Sequence, residues 1–259
     1  MKNFAYCGIL AQAMKKIPLN DEMLRAFRGR AETLIMEGYC KYFDNVAVYC
    51  QDGSYATVYT DGRGGAHICM YTDSAAFVDG ITELFRGKTV EFCGASGFVT
   101  EYLRGKYAFE WETNCYLYVW NGKPLPYKCR CDLRPMDGAY AREISDGTFY
   151  RASEEEIRAC LSVHPSSAAY VDGKPVCWCL LHKEGSLGML YTMPVYRRQG
   201  YALEVMTDIT NKVIASGSVP YCYIVRDNAA SISLAAKYNL ERVCTADYFE
   251  INLTDTDTH

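Results

Sequence analysis

The sequence predicts an α/β protein with a mixed sheet (α+β), built from two similar halves. Short apolar runs typical of strands alternate with segments in which apolar residues recur at helical spacing. The order helix, three strands, helix, strand, helix, strand occurs twice along the chain, although the halves share little sequence identity. In addition, the short apolar run 187–193 is followed by Pro194 and then by helical spacing from Tyr201, as in a strand that turns into a helix.

The composition indicates a globular protein. The 259 residues are enough for one large or two modest domains, and 49% are hydrophobic while 22% are charged. A net charge of -4 without a long basic run argues against a nucleic-acid partner. Residues 1–20 contain neither a membrane-spanning stretch nor a signal-peptide cleavage site. We therefore expect a cytoplasmic monomer or homodimer that does not bind membranes, with an initial helix face of Phe4, Ile9, Leu10 and Met14.

The thirteen cysteines are scattered along the chain. Cys129 and Cys131, and likewise Cys177 and Cys179, lie in strand-like segments, and no C-x-x-C or histidine pair accompanies them. This distribution favours reduced, mostly buried thiols over a disulfide framework or a zinc site, so no metal is expected.

In the first half, residues 20–43 have helical spacing, with Asn20 or Asp21 as the cap. The turn signals Asp52-Gly53 and Asp61-Gly62 separate the strands that follow. The later predicted elements are strands at 46–51, 55–60 and 66–71, a helix at 74–85, a strand at 89–93, a helix at 97–107 and a strand at 113–120. A turn at 121–124 suggests a domain boundary. We therefore predict domains 1–124 and 125–259.

In the second half, Ser153 and Glu156 form a capping box, and Asp172-Gly173 marks a hairpin. The predicted strands lie at 127–133, 168–171, 175–182, 187–193, 220–225 and 242–252. The predicted helices lie at 137–144, 153–161, 200–215 and 228–238.

The segment 197–202 (RRQGYA) carries the strongest chemical signal. It leads from the strand into the helix, where several backbone N–H groups are unpaired and the helix dipole is positive. Such a helix start binds a phosphate or pyrophosphate. Gly200 allows the backbone to approach the anion, and the small Ala202 allows the helix to pack closely on the strand. From the residues alone, an ordinary strand–loop–helix with two solvated arginines is an equal alternative.

The motif R-x-x-G-x-A, after a strand ending in M-P-x-Y, resembles the acyl-CoA pyrophosphate loop of the GNAT N-acyltransferases. The segment 177–201 (CWCLLHKEGSLGMLYTMPVYRRQGY) is similar to the glycine N-acyltransferase-like branch of that superfamily, and the resemblance covers roughly the last half of the chain. It implies a tandem GNAT-like acyl-CoA N-acyltransferase fold, with acetyl-CoA or another short acyl-CoA as co-substrate.

The resemblance also implies a set of residues that contact the coenzyme. In the family, backbone groups of the central strand bond the pantetheine, and an Asn opening the last helix bonds it as well. Asn228 is otherwise a plain N-cap. The implied set is Leu190, Tyr191, Met193, Arg197, Arg198, Gln199, Gly200, Tyr201, Ala202, Asn228 and Ser231.

The first half is predicted to be a degenerate copy that does not bind CoA. Its third strand is followed by Thr72-Asp73-Ser74-Ala75, which has no arginine or glycine and places an acid where the anion would lie. Its glycine-rich stretch 61–65 falls between two strands, which is typical of a hairpin loop.

The chain departs from the family at both catalytic positions. A tyrosine general acid commonly stands seven residues after the Asn, and that position is Ala235 here. Tyr238 lies almost one turn further on. The glutamate base of the glycine N-acyltransferase-like enzymes aligns with Ser186, which cannot act as a base by itself.

The remaining candidates for proton transfer are His182, Glu184 and Tyr191, beside a water chain to a backbone carbonyl. Histidine titrates near neutrality, which suits a general base. Each of the three residue types is also common in purely structural roles.

The sequence thus predicts an N-acetyltransferase that moves an acetyl or other short acyl group from acyl-CoA to a primary amine. The acceptor is expected to be a small molecule, such as an amino acid, bound in the cleft between the halves. One alternative is a catalytically silent CoA-binding sensor or interaction module. Another is acylation of a protein N-terminus or lysine.

Overall fold

The computed structural model describes residues 13–60, 65–120, 122, 130–147 and 152–253. Within these ranges the strands form three sheets, and helices pack against them. This arrangement confirms the predicted mixed α/β class. None of the helices in these ranges is both long and apolar enough to cross a membrane.

The first half alternates helices and strands as predicted, with two additional strands, β1 and β6. Its elements are β1 (Lys15–Ile17), α1 (Asp21–Arg28), α2 (Leu34–Tyr42), β2 (Val46–Gln51), β3 (Ser54–Thr60), β4 (Ala66–Tyr71), α3 (Ala75–Glu83), β5 (Thr89–Ala95), α4 (Gly97–Arg104), β6 (Phe109–Thr113) and β7 (Cys115–Trp120).

The second half contains the longest helix, α7. Its elements are β8 (Asp132–Arg134), α5 (Ala141–Gly147), α6 (Glu154–Val163), β9 (Ser167–Val171), β10 (Lys174–Leu181), β11 (Leu187–Thr192), α7 (Tyr201–Ala215), β12 (Tyr221–Val225), α8 (Ala229–Lys237), β13 (Leu240–Thr245) and β14 (Asp247–Asn252). Short 3₁₀ turns lie at Ala31–Thr33, Gly138–Tyr140 and Pro194–Tyr196.

The three sheets contain seven, four and three strands. Their orders are β1-β2-β3-β4-β5-β14-β6, β11-β10-β9-β8 and β12-β7-β13. Strands β4 and β5 are parallel, and the other recorded pairs are antiparallel.

Several local signals in the sequence are confirmed. Asp52 and Gly53 both have positive φ (47° and 81°), and so do Asp172 and Gly173 (49° and 76°), as a tight hairpin requires. Asn20 caps α1 by accepting a hydrogen bond from the backbone N–H of Met23.

The predicted capping box of α6 also forms. The Ser153 side chain accepts from the Glu156 N–H, and the Glu156 carboxylate accepts from the Ser153 N–H at 2.7 Å. Two donors at this helix start are therefore satisfied within the helix's own sequence.

Two predicted elements are wrong in their extent. The helix predicted for 20–43 is broken, because Gly29 caps α1 and Arg30 is extended, with φ -133° and ψ 132°. The buried Thr33 hydroxyl then donates to the Phe27 carbonyl at 2.6 Å and fixes the bend. The strand predicted for 242–252 is two strands, which separate at Ala246 and join different sheets.

Strands β1 and β6 were not predicted. Both are edge strands of the seven-stranded sheet, and neither contains a buried residue. Without a buried face they have no hydrophobic alternation for a pattern to detect. Several predicted features lie outside the described residues. They are the helix face at Phe4, Ile9 and Leu10, the turns at 61–64 and 123–124, and most of the strand predicted for 127–133.

The two halves exchange strands. Strand β7, from the first half, lies between β12 and β13, while β14, the last strand, lies between β5 and β6. The domain boundary at 124/125 stays a prediction. The strand pairing shows in addition that each half needs a strand from the other half to complete its sheet.

One ion pair lies where the exchanged strands cross. The Asp247 carboxylate is 4% exposed and lies 2.6 Å from the Arg226 Nη2. It also accepts from the Cys115 N–H, while the Arg226 Nε donates to the Cys115 carbonyl. These bonds join the first residue of β7 to the first residue of β14 and to the end of β12.

The halves also meet where α2 packs on the turn after β10. A Cβ atom at Gly38 would lie 1.8 Å from the Glu184 carbonyl oxygen and 2.7 Å from its carbonyl carbon. Backbone therefore contacts backbone at this point, and only glycine fits.

We predict that Phe249→Ala lowers the free energy of unfolding by about 3–5 kcal/mol. Phe249 is fully buried on β14 and stacks between Phe92 and Phe109, with ring centroids 5.0 and 4.2 Å away. Chemical denaturation measures the change. The control is Trp111→Ala on neighbouring β6, where the side chain is 40% exposed and a change within about 0.5 kcal/mol is expected. Equal losses would contradict the placement of β14 in this core.

We also predict that Gly38→Ala destabilises the protein by about 1–3 kcal/mol, because the added methyl group forces α2 away from the turn at Glu184. Gly138→Ala is the matched control, since a Cβ there meets nothing within 4 Å. Thermal unfolding of both variants tests the contact. Unchanged stability of the Gly38 variant would contradict it.

Candidate functional site

A gap between β11 and β12 is the centre of the candidate site. β11 is an edge of the four-stranded sheet and β12 an edge of the three-stranded sheet. The two strands are spatial neighbours, yet no ladder joins them. Their facing peptide groups are therefore available to an extended ligand, which can bond to them as an added strand would.

A bulge bends β11 beside this gap. The register of β10 and β11 shifts between Trp178 and Leu180, and Met189 has φ +51°. The His182 ring lies directly over Gly188, since a Cβ there would be 1.9 Å from the His182 Nε2. The bulge redirects the backbone of β11 at mid-strand, as bulges near binding sites often do.

The predicted anion loop leads from the end of β11 to the start of α7. Gly200 is the N-cap of α7, with φ +92° and no side-chain cap, and Arg198 also has positive φ (62°). Among the described residues, no recorded acceptor bonds the backbone N–H groups of Gln199, Gly200, Tyr201 and Ala202. The loop is exposed, so these donors and the helix dipole face solvent.

Side chains of the loop stabilise its shape. The Arg197 Nε donates to the Thr192 carbonyl at 3.0 Å, and the Gln199 amide donates to the Val195 carbonyl at 3.0 Å. The Tyr201 ring packs edge-on against Tyr196. Side chains of the loop therefore donate hydrogen bonds to nearby carbonyl groups, while the N–H groups at the helix start remain free for an anion.

The corresponding places in the first half have a different geometry. Strands β4 and β5 pair directly in parallel from Ala66 to Ile68. At the start of α3, the Ser74 hydroxyl accepts from the Phe77 N–H, and the Thr72 hydroxyl accepts from the Ser74 N–H. These two donors are thus already satisfied within the chain, and the inability of the first half to bind CoA stays a prediction.

The predicted pantetheine residue Asn228 is exposed and caps α8 through its side-chain oxygen, which accepts from the Ser231 N–H at 3.0 Å. The helix starts directly after β12, on one side of the gap. The capping role expected from the residues alone is thus present. Contact of Asn228 and Ser231 with a coenzyme stays a prediction.

The candidate acid Tyr238 is 1% exposed and donates to the Ala202 carbonyl at 2.8 Å. Burial raises the pKa of its hydroxyl far above the ordinary value. Ala235, at the family position of the acid, is buried too. This geometry favours a structural role for Tyr238, in which it joins the end of α8 to the start of α7.

Ser186 and Glu184 form one unit in the tight turn after β10. The Ser186 side chain is 1% exposed, and its hydroxyl donates to the Glu184 Oε1 at 2.5 Å. The Glu184 carbonyl accepts from the Tyr221 hydroxyl at 3.0 Å. The serine at the family's glutamate position therefore holds a carboxylate that comes from two residues earlier in the chain.

A group of tyrosines from β12 and β14 lies on the Glu184 side of the gap. Tyr221 and Tyr223 on β12 contact each other edge-on at 5.9 Å, and Tyr223 contacts Tyr248 on β14 at 5.3 Å. Desolvation is the largest cause of the raised pKa of Tyr223 and Tyr248, and the Glu184 charge contributes to both shifts. The Glu184 carboxylate therefore lies near the phenols of Tyr223 and Tyr248, and we call this region the tyrosine cleft.

Tyr191 lies on the other face of β11. Its ring packs on Trp178 at 5.1 Å, and the Arg197 guanidinium lies 5.7 Å from the ring centroid. The side chain therefore lies in the core formed with α5 and α6 rather than among the tyrosines. Leu190 belongs to the opposite core, and Met193 is exposed beside the loop.

The structure thus places His182, Glu184 and Ser186 together at the start of β11 and the anion loop at its end. Sequence reasoning missed the bulge at Met189 and the tyrosines of the cleft. The adjacent Gly188 was a signal for the bulge, since glycine within a strand often marks one. The tyrosines had no sequence signal, because they converge only through the strand exchange.

Comparison with known proteins agrees with this geometry. Residues 171–249 match the family described as FR47-like protein, a range that includes β11, the anion loop, α7, β12 and α8. Over 115 residues the chain is 27% identical to a glycine N-acyltransferase of Pongo abelii. That match covers 43% of this chain and 38% of the relative, so well under half of the relative is represented.

Solved structures extend the similarity of fold to both halves. A Drosophila protein matches with a TM-score of 0.72 at 13% identity, over 92% of this chain and 98% of its own. A tandem GNAT protein from the clavulanic acid biosynthesis pathway matches with a TM-score of 0.54 at 12% identity, over 95% and 100% of the two chains. Residues 171–249 thus match the FR47-like family, and the fold of the chain is similar to that of a tandem GNAT protein.

Proposed function

We propose that this protein is an N-acyltransferase that transfers a short acyl group, such as acetyl, from acyl-CoA to a primary amine of a small molecule. The observation that carries the proposal is the open gap between β11 and β12, which leads directly to the uncapped start of α7. A long thin ligand with an anionic end matches both features, and acyl-CoA is such a ligand.

In this proposal the pyrophosphate binds the free N–H groups from Gln199 to Ala202, with Arg197 and Arg198 beside it. The pantetheine arm extends through the gap and bonds peptide groups near Leu190 and Met193 on β11. The Asn228 amide bonds it from the other side. The thioester then lies near the bulge at Met189, at the entrance to the tyrosine cleft.

The acceptor amine enters from that cleft as a neutral nucleophile. Its nitrogen attacks the thioester carbonyl carbon, and a tetrahedral intermediate forms. The C–S bond then breaks, the amine proton passes to the base, and the leaving thiolate takes a proton. We assign the base to Glu184, because the Ser186 hydroxyl orients its carboxylate at the start of β11, beside the tyrosine cleft. His182 over Gly188 is the alternative base.

A small acceptor suits this cleft better than a polypeptide. α2 contacts the Glu184 backbone so closely that position 38 admits only glycine. The first half of the chain therefore borders the Glu184 side of the proposed site, which favours a small acceptor over a polypeptide. An amino acid or a similar amine fits such a space.

The second candidate function is CoA binding without catalysis. One observation favours it. Ala235 stands at the position of the family's general acid, and the hydroxyl of the nearby Tyr238 already donates to the Ala202 carbonyl. The two functions differ in turnover and share coenzyme binding.

We predict that Gly200→Glu weakens acetyl-CoA binding about 100-fold, because two charge-assisted hydrogen bonds to the pyrophosphate are lost and a carboxylate repels it. Isothermal titration calorimetry measures the dissociation constant. The matched control is Gly173→Glu, since both glycines have positive φ and open space around the Cβ position. The backbone strain is therefore similar, and the control should bind normally. Equal affinity of the two variants would contradict the assigned anion site.

We predict that Glu184→Gln lowers kcat by about 10²- to 10⁴-fold and leaves acetyl-CoA affinity unchanged. Release of CoA thiol is followed over amino acids, polyamines and aminoglycosides, with amine-free reactions to correct for the protein's own cysteines. The control is the exposed Glu143→Gln on α5.

The same assay with His182→Gln separates the two bases. A large loss there together with normal rates in Glu184→Gln would assign the base to His182. Coenzyme binding without turnover on every amine would favour the silent module.

A further inference from the structure

A mixed group of metal-binding side chains lies in the first half, away from the coenzyme loop. His67 on β4 is paired in register with Glu91 on the parallel strand β5. Cys93 lies two residues after Glu91, on the same face of the sheet. One atom from each of the three side chains lies within 4.8 Å of the other two.

The distances between these atoms fit a single shared ion. The His67 Nδ1 lies 3.2 Å from the Glu91 Oε2 and 3.9 Å from the Cys93 Sγ, and the Cys93 Sγ lies 3.7 Å from the Glu91 Oε1. With bonds of about 2.0–2.3 Å, ligand atoms around tetrahedral zinc are about 3.3–3.8 Å apart. The two Glu91 distances are to different carboxylate oxygens, so an ion would contact both oxygens, or one of them after a small turn of the carboxylate.

The surroundings anchor one side of the group and leave the other accessible. Cys93 is 2% exposed, and the Tyr39 hydroxyl on α2 donates to its sulfur at 3.5 Å. The side chains of His67 and Glu91 are 32% and 27% exposed. An ion could thus enter from solvent and bind a thiol whose position is already fixed.

A simple ion pair explains only part of the arrangement. His67 and Glu91 could pair across the strands without a third partner. The buried Cys93 thiol, however, lies next to both of them. A thiol, an imidazole and a carboxylate together form a donor set that a borderline-soft divalent cation prefers.

We propose that His67, Glu91 and Cys93 bind a zinc-class divalent cation. Cys69, buried on β4 beside the Cys93 thiol, or a water completes the coordination. The recorded β4–β5 ladder ends at Ile68 and Phe92. An ion at this place would hold the two strands together just where they begin to diverge.

The proposal revises the sequence-based expectation of no metal. That expectation relied on the absence of a C-x-x-C or histidine pair within one segment. Here the ligands come from two strands that lie next to each other only in the folded sheet. The proposed role is structural, and it is independent of the proposed acyl transfer.

The test is a titration of the full-length, reduced and chelator-treated protein with Co²⁺, a spectroscopic substitute for zinc. We expect one equivalent to produce thiolate-to-cobalt charge-transfer absorption, which zinc then displaces. Cys93→Ala should abolish this absorption, whereas the control Cys244→Ala, on β13 in the other half, should retain it. Absence of the band in the unmodified protein, or its survival in Cys93→Ala, would overturn the proposal.

A second variant covers the case in which Cys93→Ala does not fold. Glu91→Gln changes a partly exposed side chain and should weaken cobalt binding at least about tenfold. The control is Glu112→Gln on β6, where the carboxylate pairs with Arg104 instead. Zinc should raise the Tm of the unmodified protein and of this control, and raise it less in Glu91→Gln. Equal affinity in the two glutamate variants would contradict the site.

Discussion

The ion pair between Arg226 and the buried Asp247 carboxylate is the interaction on which the arrangement of the two halves depends. It lies where β7 and β14 pass between the sheets. Removal of the arginine would leave Asp247 as an uncompensated buried charge, which in buried pairs costs about 3–5 kcal/mol. Because Arg226 also contacts the Cys115 carbonyl, the pair fixes the start of both exchanged strands and the end of β12 together.

This crossing explains how a gap can persist in the middle of the fold. β12 obtains its ladder from β7, and β11 obtains its ladder from β10. Each strand thus has its own ladder partner, and the two edges that face each other are not paired. The space between β11 and β12 therefore stays free for a ligand. In the first half, β5 pairs with β4 on one side and with β14 on the other. The exchange therefore gives β12 and β5 alike a ladder partner from the other half, and it leaves the space between β11 and β12 without a ladder.

The features that depend on residues close together in the chain could be predicted from the sequence. Hairpins such as Asp172-Gly173, the capping box of Ser153 and the strand–loop–helix around Gly200 follow from local chemistry. The strand exchange could not be predicted, since an alternating strand fits either sheet and the pattern runs through Ala246 without a break. The convergence of Glu184 with the tyrosines depends on that exchange, and so the cleft was equally hidden from sequence reasoning.

The two departures from the family pattern differ in their chemical consequence. An alkyl amine has a pKa of about 10 and must lose a proton before it attacks, whereas a thiol has a pKa of about 8.5. A thiolate therefore leaves readily near neutrality without full protonation, and the loss of an acid at Ala235 costs less than the loss of a base. The position aligned with the family's glutamate is a serine, but that serine holds the Glu184 carboxylate at 2.5 Å. The chain thus retains a candidate general base, which the reaction needs more than a general acid. We therefore favour the enzyme over the silent module.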